Sequence, residues 1–233
     1  VARHRWEVAY DLATGRQHVL DTSTPAGDPF EPGPVVRNGV AAWAHKLSYP
    51  GRLDVLVVDL AKGSKRVLLS NVHVGQVALA GPRLVYALTG YAAGIYTNTM
   101  MSMPLAGGTS TRVSSSDHVQ GPEASGNLVA WQEPDSGQPQ RLKARVLPNG
   151  PETVAVGKAN QGNVSVGPNF ILFVSLDLTR GDEWSVVRPA GGEVVKLSTN
   201  SSYTSGVSIL GNQVAWGEGP VGSDIRVFTA TVK

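Results

Sequence analysis

Apolar residues along this chain arrive in short bursts, often alternating with polar ones, and never as the 3.6-residue stripe of an amphipathic helix. The bursts recur in one phrase: a glycine, small or apolar residues, a turn pair, then an apolar run ending in an aromatic. The phrase reads Gly33…Gly39-Val40-Ala41-Ala42-Trp43, Gly75…Pro82-Arg83-Leu84-Val85-Tyr86 and Gly121…Asn127-Leu128-Val129-Ala130-Trp131. It returns as Gly162…Pro168-Asn169-Phe170-Ile171-Leu172-Phe173 and Gly206…Asn212-Gln213-Val214-Ala215-Trp216. Its leading glycines are 42, 46, 41 and 44 residues apart. Strand-like content at a period in the low forties predicts the blades of a β-propeller.

Each repeat divides into four strands. The second carries the aromatic, and the third alternates, as in Asp54-Val55-Leu56-Val57-Val58-Asp59. A turn follows, as in Asp59-Leu60-Ala61-Lys62-Gly63, Pro104–Gly108, Val146–Gly150 and Arg188–Gly192, whose last glycine is expected to take positive φ. Fourth strands are predicted at Arg66–Leu69, Arg112–Val113 and Val194–Leu197. One aromatic per blade in the same register predicts a wedge of core between neighbouring blades, not a ligand platform.

Five first strands predict one all-β propeller domain over residues 1–233, with four-stranded antiparallel blades near 33–74, 75–120, 121–161 and 162–205. The closing blade is expected at 206–233, completed by strand 16–21 from the N-terminus, which would remove the free sheet edges. Trp6–Tyr10 and Asp224–Phe228 then compete for one third-strand place. The alternative is an excerpt from a six-bladed propeller, in a polypeptide with further domains.

Composition narrows the function classes. The net charge of +2 is too small to argue for nucleic acid or an anionic membrane. The absence of cysteine excludes disulfides, thiol catalysis and cysteine-ligated zinc. No apolar run approaches the ~18 residues of a membrane-spanning helix, so no membrane insertion is expected. No nucleophile elbow, P-loop, dinucleotide fingerprint or H-E-x-x-H pattern occurs.

The second strand of the form G-N-x-V-A-W, the third of the form D-I-x-V-x and the turn D-L-A-x-G together resemble the TolB-like, WD40-like bacterial β-propeller repeat. Asp54–Gly63 with Trp43 is the best copy, and Asn212–Trp216 with Asp224–Phe228 the next. The resemblance implies an extracytoplasmic propeller, periplasmic, cell-surface or secreted. Its members often serve as binding modules, or as the non-catalytic propeller of serine peptidases. The shared residues are architectural, so no functional residue carries over.

Candidate chemistry falls in three groups. Glu31, His73, His118, Asn160, Tyr203 and Thr204 belong to loops expected around the mouth of the central channel, a plausible ligand site. No metal-ligand spacing supports an ion there, and no cofactor is expected. Tyr49, Tyr91, Tyr96, Arg141, Asp177 and Arg180 lie in the long loops expected between second and third strands, and Tyr and Arg are enriched at binding hot spots. These suit a protein or glycan partner. His45, Glu133 and Glu218 share a register two residues past the aromatic and form the best catalytic constellation for a hydrolase. The expectation is a non-enzymatic binding scaffold, with a glycan-active or other hydrolytic propeller, or the non-catalytic propeller portion of a larger receptor, sensor or peptidase, as alternatives.

Overall fold

The computed structural model describes residues 7–10, 14–21, 34–48, 52–92, 94–135, 138–157, 161–177, 181–198, 204–219 and 224–233. Among them there is no helix, and the strands make six antiparallel sheets. The first pairs β1 (Glu7–Tyr10) with β2 (Gln17–Asp21). The second runs β3 (Val35–Arg37), β4 (Val40–Ser48), β5 (Arg52–Asp59) and β6 (Ser64–Val72). The third runs β7 (Val74–Ala80), β8 (Arg83–Ala92), β9 (Ile95–Pro104) and β10 (Thr111–Arg112). Then come β11 (Gln120–Ser125), β12 (Leu128–Asp135), β13 (Gln138–Val146) and β14 (Glu152–Val156). The fifth sheet holds β15 (Gln161–Val166), β16 (Ile171–Asp177), β17 (Gly181–Val187) and β18 (Val195–Lys196). The sixth holds β19 (Thr204–Leu210), β20 (Gln213–Glu218) and β21 (Arg226–Thr231).

Strand neighbours in sequence are neighbours in each sheet, the up-and-down order of a propeller blade. The five repeats correspond to five of the sheets. Gln17–Asp21 pairs with β1, and the C-terminal sheet has three strands among the described residues. The strands β1 and β21 belong to different sheets. The chain groups into two compact units, Val1–Arg112 with β1–β10 and Val113–Lys233 with β11–β21. Such grouping is natural where each repeat packs only on its neighbours.

Both faces of the inner strands are covered, which explains apolar runs in place of strict alternation. In the first unit Ala42, Val55 and Val57 face the sheet of Leu84, Tyr86 and Met103. Their neighbours Ala41, Trp43, Leu56 and Val58 face the opposite way, against Ala9 and Leu20 of the β1–β2 hairpin. That hairpin occupies a preceding-sheet position, and Lys65 fastens it by donating to the Leu20 carbonyl (2.9 Å) while lying over the Trp43 ring. In the second unit Ile171 and Phe173 pack against Leu128, Ala130 and Leu142, and Leu172 and Val174 against Val214 and Trp216. The five in-register aromatics are all buried, as a wedge between sheets requires.

The D-L-A-x-G turn has a mechanical role. Its leucine N–H reaches back to the carbonyl just before the second strand: Leu60 to Gly39, Leu105 to Pro82 and Leu147 to Asn127, each at 2.8 Å. Val232 repeats the bond to Asn212. Pro189 has no N–H to give, and in that sheet the Arg188 guanidinium contacts the Asn169 carbonyl at 3.3 Å instead. Asp59 organises its turn by accepting from the Ala61 and Lys62 N–H groups, and the Lys62 backbone bond holds its carboxyl below the ordinary range. Gly63, Gly108 and Gly192 take the expected positive φ. Gly150 does not: it is required because a Cβ there would stand 2.5 Å from the Val146 carbonyl oxygen.

Candidate functional site

Two places concentrate side-chain chemistry, one in each unit. In the second unit the focus is Trp131 on β12, fully buried, whose indole N–H needs an acceptor away from water. Residues i and i+2 of a strand share a face, so Glu133 is placed to accept it, at 3.2 Å on Oε1. Glu133 is itself only 7% exposed and requires a cation. Lys143, opposite Trp131 on β13, supplies it with Nζ 3.0 Å from Glu133 Oε2. The same ammonium contacts Glu152 Oε1 at 2.5 Å, and Ser115 completes Glu152 with its backbone N–H (2.8 Å) and hydroxyl (2.7 Å).

Burial works against charge at both Lys143 and Glu152, and the mutual hydrogen bonds outweigh it. Lys143 is held above the ordinary lysine value by Glu152 and Glu133, and Glu152 below the ordinary carboxyl value by Lys143 and Ser115. Glu218 repeats the Trp131–Glu133 device by accepting from the Trp216 indole. The two carboxylates singled out for hydrolysis thus share a register because each serves a tryptophan two residues earlier. His45, in the first unit, is half-buried on β4 opposite Asp54.

The second place is the tip of the β8–β9 hairpin. The long loop expected to hold Tyr91 and Tyr96 is absent: β8 and β9 stay paired to Ala92↔Ile95, and Gly94 at φ +81° helps make the turn. Val74↔Leu88 is the last pairing with β7, so four further cross-strand pairs extend beyond it. Tyr91 and Tyr96 stand directly opposite, 64% and 70% exposed, with ring centroids 4.6 Å apart and planes inclined 45°. Thr89 and Asn98, also opposite, share the tyrosine face, and Thr89 Oγ1 donates to Asn98 Oδ1 at 2.8 Å. At the base of this hairpin Tyr86 is buried and hydrogen-bonded to Ser110 Oγ (2.8 Å).

Strands also absorb other expected loop residues. Arg141 lies within β13 opposite Glu133, half-buried, and Asp177 ends β16 opposite Gly181. Their strand register is what loop prediction missed: the alternation runs on past the polar residues that suggested loops. His73 is exposed between β6 and β7 in the first unit, its carbonyl accepting from the Thr89 N–H. His118 is exposed in the second unit, its N–H donating to Ser116 Oγ at 3.0 Å. Thr204 opens β19. Glu31, Tyr49, Asn160, Arg180 and Tyr203 lie outside the described residues. Among the described residues no three His, Asp or Glu side chains gather as a metal site would require. None of these forms a helix long and apolar enough to cross a membrane.

No family model matches the sequence, and no curated protein sequence does. Solved structures do match. The uncomplexed acylaminoacyl peptidase of Pyrococcus horikoshii aligns at TM-score 0.71 and 11% identity, over 97% of this chain and 40% of that one. TolB from Acinetobacter baumannii aligns at 0.61 and 16% identity, over 99% of this chain and 61% of TolB. The β-propeller domain of the Trilobed protease from Pyrococcus furiosus, which has an open velcro topology, aligns at 0.56 and 8% identity, over 97% and 87%. The chain therefore spans less than two thirds of the peptidase and of TolB. Such identities speak for the fold alone, and that fold is the β-propeller that TolB and the peptidase propeller domains share.

Proposed function

We propose that this propeller is a non-enzymatic recognition scaffold that binds a protein or glycan partner through the hairpin ends and loops joining second and third strands. The observation that carries this is the contrast among the aromatics. Five in-register rings are buried as core, whereas Tyr91 and Tyr96 project into solvent on the extended end of a hairpin. Exposed tyrosines at a strand end carry large apolar area with a polar tip, a combination suited to contact with a partner. The candidate catalytic carboxylates support the same view, since Glu133 is engaged by Trp131 and Lys143 and Glu218 by Trp216.

The test is capture of binding partners from a native extract by wild-type protein and by Tyr91→Ala/Tyr96→Ala. Loss of a partner with an unchanged melting temperature supports the scaffold, and equal capture overturns this surface. Substrate turnover abolished by Glu133→Gln or Glu218→Gln in a still-folded protein would instead establish the hydrolase. An extracytoplasmic location goes with the proposal, as the TolB-like resemblance implies, and cell fractionation checks it. A second form, supported by the 40% share of the acylaminoacyl peptidase, is a non-catalytic module within a larger peptidase or receptor. A parent reading frame encoding no further domain would exclude that form.

A further inference from the structure

The tip of the β8–β9 hairpin has a chemical character that narrows the partner. From Leu84 to Met103, twenty residues, there is no Asp, Glu, Lys, Arg or His. Strand edges and tips in soluble proteins are ordinarily guarded by charge, so an uncharged projecting tip is unusual. Its polar groups are hydroxyls and one amide: Thr89, Thr97 and Asn98 beside Tyr91 and Tyr96. We propose that Tyr91, Tyr96 and Asn98 form a stacking platform for a neutral carbohydrate, an inference that rests on the scaffold reading above.

The geometry is suited to a sugar ring. Tyr91 and Tyr96 brace one another at 4.6 Å, each supporting the orientation of the other, and remain largely open to solvent. A pyranose presents a C–H face that packs on such rings and a rim of hydroxyls that must find partners. Asn98 lies one pleat towards the base on the same face, about 7 Å along the strand. Its Oδ1 is occupied by Thr89, which fixes the amide and aims its hydrogen-bonding capacity at acceptors through the two Nδ2 hydrogens. The platform thus joins aromatic faces to an oriented donor, with tyrosine hydroxyls at the margin.

Area and charge favour a neutral sugar over the competing occupants. Two tyrosines of this exposure offer roughly 300 Å² between them, taking about 150 Å² each. A stable protein interface takes about 800 Å² from each partner, so the tip alone is too small for one, whereas a few sugar rings match it. Nucleic acids and anionic glycans require cations to offset their charge, and this hairpin tip has none.

Isothermal titration of the intact protein with cellohexaose, laminarihexaose, maltohexaose and fully N-acetylated chitohexaose tests the inference. At least one should bind, with Kd between about 10 μM and 1 mM, as expected for an open platform. Tyr91→Ala or Tyr96→Ala should weaken that binding at least about tenfold, while Tyr91→Phe, which retains the ring, should stay within about threefold. The affinity should be unchanged between roughly 0.05 and 0.5 M salt, since no charge takes part. Absence of binding by all four sugars, or binding that survives the double alanine variant, overturns the platform. If the sugars fail while a protein is captured through the tyrosines, the carbohydrate inference falls and the scaffold reading stands. If the tyrosines prove irrelevant to every partner, both fall.

Discussion

The sheets β11–β14 and β15–β18 carry different chemistry at the same strand register. In the first, Trp131 faces Lys143 across the strands; in the second, Phe173 occupies the matching place and faces Ser185. An indole brings an N–H into the core, and one consequence follows another: Glu133 to accept it, Lys143 to neutralise Glu133, Glu152 to share Lys143, Ser115 to complete Glu152. A phenyl ring makes no such demand, and the positions matching Glu133 and Lys143 are Ser175 and Ser185. In that sheet an ion pair joins Glu183 and Lys196, 2.5 Å apart, the lysine side chain 54% exposed. A polar network that resembles an active site in sequence thus follows from one core nitrogen.

Removing the two lysines should separate the sheets most sharply. Lys143→Met leaves two largely buried carboxylates facing each other without a cation and should cost about 3–5 kcal/mol. Lys196→Met removes a half-exposed cation from Glu183, itself only 8% exposed, and should cost less, about 1–3 kcal/mol. Urea unfolding of both variants decides this. Equal losses would mean that the network around Trp131 is no more than surface charge.

Next in size is the conversion of one sheet to the pattern of the other. Trp131→Phe leaves Glu133 without its indole donor and should destabilise by about 1–3 kcal/mol. Adding Glu133→Ser and Lys143→Ser recreates the Phe–Ser–Ser arrangement of the neighbouring sheet. The triple variant should lose less stability than its three single changes taken together, because they act on one network. Strict additivity in chemical denaturation would show that the chain of consequences drawn from the indole is wrong.

The two sheets should also part in their response to pH. Glu152 is lowered by its bonds to Lys143 and Ser115, so its stabilisation is present above the unfolded carboxyl value, about 4.3. It is lost as pH falls through the lower folded value. Lys143 is raised, so its contribution is full below about 10.4 and is lost as pH rises through the higher folded value. Glu152→Gln should flatten the acid limb of a melting-temperature profile, whereas Ser175 and Ser185, at the positions matching Glu133 and Lys143, carry no ionisable group.

The repeat made the fold legible because the aromatic, the turn glycine and the turn leucine each answer a backbone or packing requirement that recurs in every sheet. Leu60, Leu105 and Leu147 were visible as a pattern before their shared hydrogen bond gave the reason. The site was less legible. Tyr91 and Tyr96, expected in a loop, lie in paired strands, because Gly94 serves a tight turn and Gly90 lies opposite Thr97. Trp131 and Glu133 shared a face by their spacing of two, a signal present in the sequence. What spacing could not supply was the partner across the sheet, since Lys143 is found only once register is known.

The smallest effect tests the quieter sheet. Ser185 lies fully buried, and its hydroxyl finds no hydrogen-bond partner among the described residues, at the position where Lys143 serves two carboxylates next door. A buried hydroxyl without a partner opposes folding, and replacing it by a methyl group removes that opposition without opening a large cavity. Ser185→Ala should therefore leave the unfolding free energy from urea titration unchanged or raise it, by up to about 1 kcal/mol. A loss of that size would mean that Ser185 holds an internal water bridging its sheet, and that the Phe173 wedge, like the Trp131 wedge, depends on a buried polar contact.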